Sequence, residues 1–193
     1  MVEASSIGRR FGEKRVLRGI DLDVPRGGFA VVTGPNGSGK TTLLRICAGL
    51  AVPTEGELRV AAGRAEIGYL GHEPLVYREL SALENLELYG RLYRVPERRE
   101  RIGMLLERFG LWDVRHERVG TFSRGMQQRL GLSRVLLHEP ELLVLDEPFN
   151  ALDAAGADLL EETLAELSSR AFVVATHDPE RLERLSTERL AFA

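Results

Sequence analysis

The stretch GPNGSGKTT, Gly34 to Thr42, matches the pattern G-x-x-x-x-G-K-[ST]. Its glycines let successive backbone N–H groups turn inward, where they cradle phosphate oxygens at the start of a helix. Gly34, Pro35, Asn36, Gly37, Ser38, Gly39, Lys40, Thr41 and Thr42 are therefore candidate phosphate-binding residues. Lys40 can reach the β- and γ-phosphates of a nucleotide, and the Thr41 hydroxyl can ligate Mg²⁺. A second stretch, LLVLDEP (142–148), ends an apolar run on two acids. A carboxylate there is costly unless it meets a cation or a partner, so Asp146 is assigned to Mg²⁺ through water. Glu147 follows at once. Strand alternation sends it the other way, where it can orient and deprotonate an attacking water. His177, after a third apolar run, is a candidate at the same crevice.

These groups must be carried by particular elements. FAVVT (29–33), LLVLD (142–146) and FVVAT (172–176) are continuous apolar runs. They read as parallel strands of a sheet covered on both faces. Each leads through a polar loop into a helical pattern, the rhythm of a doubly wound α/β domain. Ligands then sit outside the carboxyl ends of the strands, where Gly34, Glu147 and His177 should converge. Shorter alternating pieces at 16–24, 57–60 and 66–70 are expected to form a flanking antiparallel sheet. Residues 81–138 read as helical. Ser81 and Glu84 form a capping box. Pro96 and Gly110 bracket a second helix, and Leu130, Arg134 and Leu137 mark a third that stops before Pro140. This block, about 76–140, is an insertion into one domain spanning 1–193.

Of 193 residues, 44% are hydrophobic and 28% charged, the profile of a soluble globular chain. A net charge of −3 argues against nucleic acid as a partner. Of 26 basic residues only Lys14 and Lys40 are lysines, which makes the position of Lys40 more informative. Cys47 is the single cysteine, so no intrachain disulfide forms; it is expected to be a small buried hydrophobe in a reducing compartment. MVEASSIGRRFG lacks the apolar core of a signal peptide. The apolar runs fall far short of the ~20 residues of a membrane span. By itself the chain reads as cytosolic.

TFSRGMQQR (121–129) adds a different kind of site. Ser123 caps a helix start whose free N–H groups favour an anion, and Gly125 permits close approach. Together with GPNGSGKTT and LLVLDEP, this stretch resembles the signature of the ATP-binding subunits of ABC transporters, over essentially the whole chain. The family pattern is Leu-Ser-Gly-Gly-Gln; here Phe122, Arg124 and Met126 depart from it while Ser123 and Gly125 remain. The resemblance implies a RecA-like parallel core with an N-terminal antiparallel β subdomain and an inserted helical subdomain. It implies ATP and Mg²⁺ as cofactors, and a head-to-tail homodimer in which Ser123 and Gly125 face the γ-phosphate held by the other subunit. Asn150 to Asp153 resembles the family's Ser-Ala-Leu-Asp loop, with Asn in place of Ser. His177 corresponds to the histidine that senses the γ-phosphate. Phe11, in RRFGEKRVL, matches the aromatic that stacks on adenine. His72, in YLGHEP (69–74), stands where the family places a glutamine that reaches Mg²⁺ and the attacking water.

The resemblance further implies separate transmembrane permease subunits and a peripheral position on the cytoplasmic face of the membrane. YLGHEPLVYRELSALENL, together with SRGMQQRLGLSRVLLHEPELLVLDEPFNALD, is most similar to the ATP-binding subunits of the haem exporter of cytochrome c biogenesis. A generic drug, polysaccharide or lipid exporter is the alternative. A soluble ABC ATPase of DNA repair or translation would carry a long insertion or a second ATPase domain. An ordinary phosphate-loop kinase would not need TFSRGMQQR, Asn150–Asp153 and His177 together.

Overall fold

The computed structural model describes residues 1–192. Five strands form a parallel sheet in the order β5-β6-β7-β3-β8: β3 (Phe29–Thr33), β5 (Ile67–Leu70), β6 (Leu142–Asp146), β7 (Ala171–Ala175) and β8 (Glu188–Ala191). The three apolar runs are its central strands, β6, β7 and β3. They are buried on both faces because alternate residues feed two cores. Phe29 and Val31, Leu143 and Leu145, Phe172 and Val174 enter one. Ala30 and Val32, Leu142 and Val144, Val173 and Ala175 enter the other.

On the first face lie α2 (Ala82–Leu92), α3 (Arg98–Arg108), α4 (Arg124–Leu136) and α5 (Ala154–Glu166). The Ser81–Glu84 capping box forms with both reciprocal bonds, 3.2 Å and 2.8 Å. On the second face lies α1 (Lys40–Cys47), packed on β6 and β7. Cys47, the last residue of α1, is buried in this core, and burial pushes its thiol up to about 12. An antiparallel sheet β2-β1-β4 covers α1, built from β1 (Val2–Phe11), β2 (Lys14–Val24) and β4 (Glu55–Val60).

Two features of the sheets depart from the sequence expectation. Residues 66–70 do not join the antiparallel sheet. They form β5, the edge of the parallel one, paired from Ile67–Leu142 to Leu70–Leu145. The central antiparallel strand is β1, which sequence alternation does not mark. Register shifts between Ala4 and Arg10 break its period. Among the described residues no helix is long and apolar enough to cross a membrane.

Candidate nucleotide site

The carboxyl ends of β3, β6 and β7 open onto one cleft of about 470 Å³. Lys14, Val16, Asn36, Gly37, Gly39, Lys40, Thr41, Thr42, His72, Asp146, Glu147, Asn150 and His177 line it. The loop before α1 is fixed by its glycines. Gly39 has φ +111, and a Cβ there would fall 2.7 Å from Leu17 Cδ2 and 3.1 Å from the Val16 carbonyl oxygen. Gly39 is also the residue before the first turn of α1, so no side chain caps that turn and no acid lies in it. The free N–H groups of α1 are left for an anion.

Lys40 is buried, and its Nζ donates to the Gly34 carbonyl at 2.6 Å and the Pro35 carbonyl at 3.2 Å. Pro35 is exposed; the Ser38 hydroxyl is buried with no hydrogen-bond partner. Thr41 Oγ1 donates to Asp146 Oδ2 at 2.7 Å, which partners the carboxylate at the end of β6. The two are hard oxygen donors at the mouth of the phosphate loop. That donor set fits Mg²⁺, which is held by one or two protein oxygens together with phosphates and water.

Alternation would send Asp146 and Glu147 to opposite sides, yet both line the same cleft. The reason is backbone conformation. Glu147 sits at φ +52, a left-handed turn that costs a non-glycine residue about 1–3 kcal/mol. The turn leaves its amide bonded to the Ala175 carbonyl at 2.8 Å. Glu147 Oε2 accepts from the His177 amide at 3.1 Å. His177 Nε2 lies 3.1 Å from Glu147 Oε1 but makes its hydrogen bond to Asn36 Oδ1 at 3.0 Å. Glu147 Oε1 is thus a buried acceptor without a hydrogen bond. Burial raises the Glu147 carboxyl above the usual range, against the lowering pull of the His177 amide and ring and of Lys40.

The remaining candidates lie outside the cleft lining. Phe11 sits at the end of the β1–β2 hairpin, 53% exposed, with the Arg9 guanidinium 4.6 Å from its ring centroid. It pairs in register with Lys14, which does line the cleft. Ser123 caps α4 by accepting from the Met126 amide at 3.2 Å, on an exposed surface. A Cβ on Gly125 would fall 2.7 Å from the Ala151 carbonyl oxygen, so a contact within the chain already demands glycine there. Asp153 caps α5, accepting from the Gly156 amide at 2.9 Å. Sequence reasoning passed over Val16 and gave Lys14 no role. The rarity of lysine was the one signal that could have flagged Lys14.

The fold and this cleft define a phosphate-loop nucleotide-binding protein. The family model described as ABC transporter matches residues 17–150, and the chain belongs to that family. YdbJ of Bacillus subtilis (strain 168), an uncharacterized ABC transporter ATP-binding protein, is 36% identical over 190 residues, covering 92% of this chain and 61% of YdbJ. The cytochrome c biogenesis ATP-binding export protein CcmA 2 of Cupriavidus metallidurans is 38% identical over 188 residues, covering 92% of this chain and 89% of that protein. A dimeric structure of the ATP-binding cassette MJ0796, in a post-hydrolysis state bound to ADP and Pi, superposes with a TM-score of 0.89 at 28% identity. That alignment covers 100% of this chain and 94% of MJ0796. The chain spans only 61%, 62% and 50% of the first three curated relatives it matches. Other relatives are named for daunorubicin resistance, lantibiotic transport and sulfonate import, so the names do not single out cytochrome c biogenesis.

Proposed function

We propose that this chain is the ATP-binding and ATP-hydrolysing subunit of an ABC transporter. The observation that carries the reading is the cleft itself: Lys40, Thr41, Asp146, Glu147 and His177 meet there at the mouth of an uncapped helix. The free N–H groups of α1 and the Lys40 ammonium hold the β- and γ-phosphates. Thr41 and Asp146 would hold Mg²⁺, which supplies charge neutralisation between the phosphates. Glu147 Oε1, unpartnered and raised in basicity by burial, takes a proton from water as the water oxygen bonds to the γ-phosphorus. The bond from that phosphorus to the β–γ bridging oxygen breaks, and its electron pair leaves with ADP. His177 releases Asn36 to reach the γ-phosphate. His72, on the cleft wall, bonds the phosphate or the attacking water. Phe11 offers its exposed ring to the adenine.

Two copies associate head to tail, each ATP lying between one chain's phosphate loop and the Ser123–Gly125 turn of the other. Asp153 and Asn150 lie along the same seam. A two-fold axis makes two identical sites, and the dimeric likeness to MJ0796 supports this arrangement. Residues 1–193 act as one cassette, peripheral on the cytoplasmic face of the membrane and docked on separate permease subunits. The export system is read as the haem exporter of cytochrome c biogenesis, supported by the likeness to CcmA 2 over most of that protein's length. Phosphate release by wild type and by Lys40→Ala tests the ATPase reading; equal rates would sink it. Purification from native membranes tests the subfamily. Cytochrome c maturation subunits should co-purify, and a drug-type permease in their place would overturn the haem reading.

A further inference from the structure

Arg134 on α4 is a buried cation with no carboxylate in ion-pair reach among the described residues. It is 6% exposed, and its partners are all uncharged. Nη2 donates to the Tyr69 carbonyl at 2.8 Å and Nε to the Pro74 carbonyl at 3.2 Å. The guanidinium carbon lies 5.3 Å from the centroid of the Tyr89 ring. Burying a guanidinium without a carboxylate carries a large desolvation cost, where an apolar residue would fill the space at less cost. Arginine differs from that apolar residue in its rigid fork of donors. Here the fork clasps the chain on both sides of His72.

The rest of α4 shows what the clasp connects. One turn earlier, a Cβ on Gly131 would fall 2.5 Å from Pro74 Cβ, so the Pro74 ring packs directly against the helix backbone. One turn earlier again, Gln128 Nε2 donates to the Pro148 carbonyl at 3.0 Å, next to Glu147. Positions 128, 131 and 134 share one face. That face touches the loop of the base and the loop of His72. The helix begins at Ser123, about 16 Å along the axis from Arg134. From the other side α2 pins the same segment: Tyr89 Oη donates to the Leu75 carbonyl at 2.8 Å, and Asn85 bonds both the amide and the carbonyl of Tyr77.

We propose that Arg134 is a positioning residue for hydrolysis: it holds His72 on the cleft wall by clasping the Tyr69 and Pro74 carbonyls, and it makes α4 and the His72 loop move as one piece. The inference rests on the reading that His72 acts on bound ATP. Any shift of the Ser123 end of α4 then reaches His72 without passing through the phosphate loop.

The test is a double-mutant cycle on the full chain with ATP. Arg134→Met should lower kcat about tenfold or more while the ATP Kd stays within about twofold, since the phosphate loop is untouched. In the His72→Ala background the same change should cost nothing further. A wild-type kcat for Arg134→Met, or losses that multiply in the double variant, overturns the proposal. A purely structural arginine would give the second pattern. Arg134→Lys, which keeps the charge but not the fork, covers the case in which the Met variant does not fold. Amide exchange at Gly71 to Glu73 should then accelerate while exchange at Gly37 to Thr42 stays as in wild type. Unchanged exchange at Gly71 to Glu73 overturns the clasp. If wild type and Lys40→Ala both release no phosphate, the ATPase reading fails by itself, and the exchange measurement still decides the clasp.

Discussion

At Glu147 the chain leaves a buried strand in a left-handed turn and buries a carboxylate oxygen that nothing bonds. Both features cost folding free energy, and the turn brings the side chain to the cleft. Burial raises this group above the ordinary glutamate range. A carboxyl raised in the fold favours folding at acid pH, and that contribution is lost as pH rises through the folded value. Glu147→Gln, neutral at every pH, should therefore melt above wild type at neutral pH without nucleotide. The gap should close in mildly acidic buffer; an equal gap across the range would refute the assignment. The same variant should bind ATP and release almost no phosphate, a loss of about a hundredfold or more if it is the base. At His72 the proposed role is tested by glutamine. Because His72 lines the cleft outside the phosphate loop, His72→Gln should keep ATP affinity and change the hydrolysis rate. Wild-type rates, with the membrane partner present, would make His72 a spacer.

Among the elements, α4 ties the others together. Gly125 meets the Ala151 carbonyl, Gln128 meets Pro148 and Gly131 meets Pro74. Gly131→Ala has no room for its methyl group. It should destabilise the chain by about 1–3 kcal/mol, read from denaturant midpoints, and slow hydrolysis by displacing Pro74. Gly103→Ala in the interior of α3, whose Cβ would meet only a Trp112 ring atom at 3.7 Å, is the contrasting control and should stabilise the chain by about 0.5–1 kcal/mol. Local chemistry made much of this layer legible. The Ser81–Glu84 box and the Ser123 cap involve residues three apart, and sequence spacing reports such pairs directly. β5 was misplaced for the opposite reason. Four residues of mixed character fit either sheet, and only pairing with Leu142 to Leu145 chooses between them. β1 and β8 were missed because bulges in one and exposed alternate positions in the other blur the pattern.

At the scale of the whole molecule, the exposed Ser123 turn and the phosphate cleft are separate surfaces of one chain. A second copy is what would bring them together. Glu147→Gln with ATP should run as a dimer by light scattering and return to monomer when ATP is removed. Ser123→Arg should block that dimer while leaving ATP binding to the monomer intact; a monomer under all conditions would refute the head-to-tail reading. The sequence alone determined the phosphate loop, its lysine and threonine, the two acids after a buried strand, and the α/β class. Those are short-range patterns, in which spacing along the chain is also spacing in space. Tertiary structure alone decided that Asp146 pairs with Thr41, that Glu147 turns into the same cleft, and that His72 faces it. It alone put Arg134 on the carbonyls flanking His72. The Asp146 and Arg134 contacts join residues 60 to 105 positions apart, and no local preference encodes which distant partner a buried polar group will find.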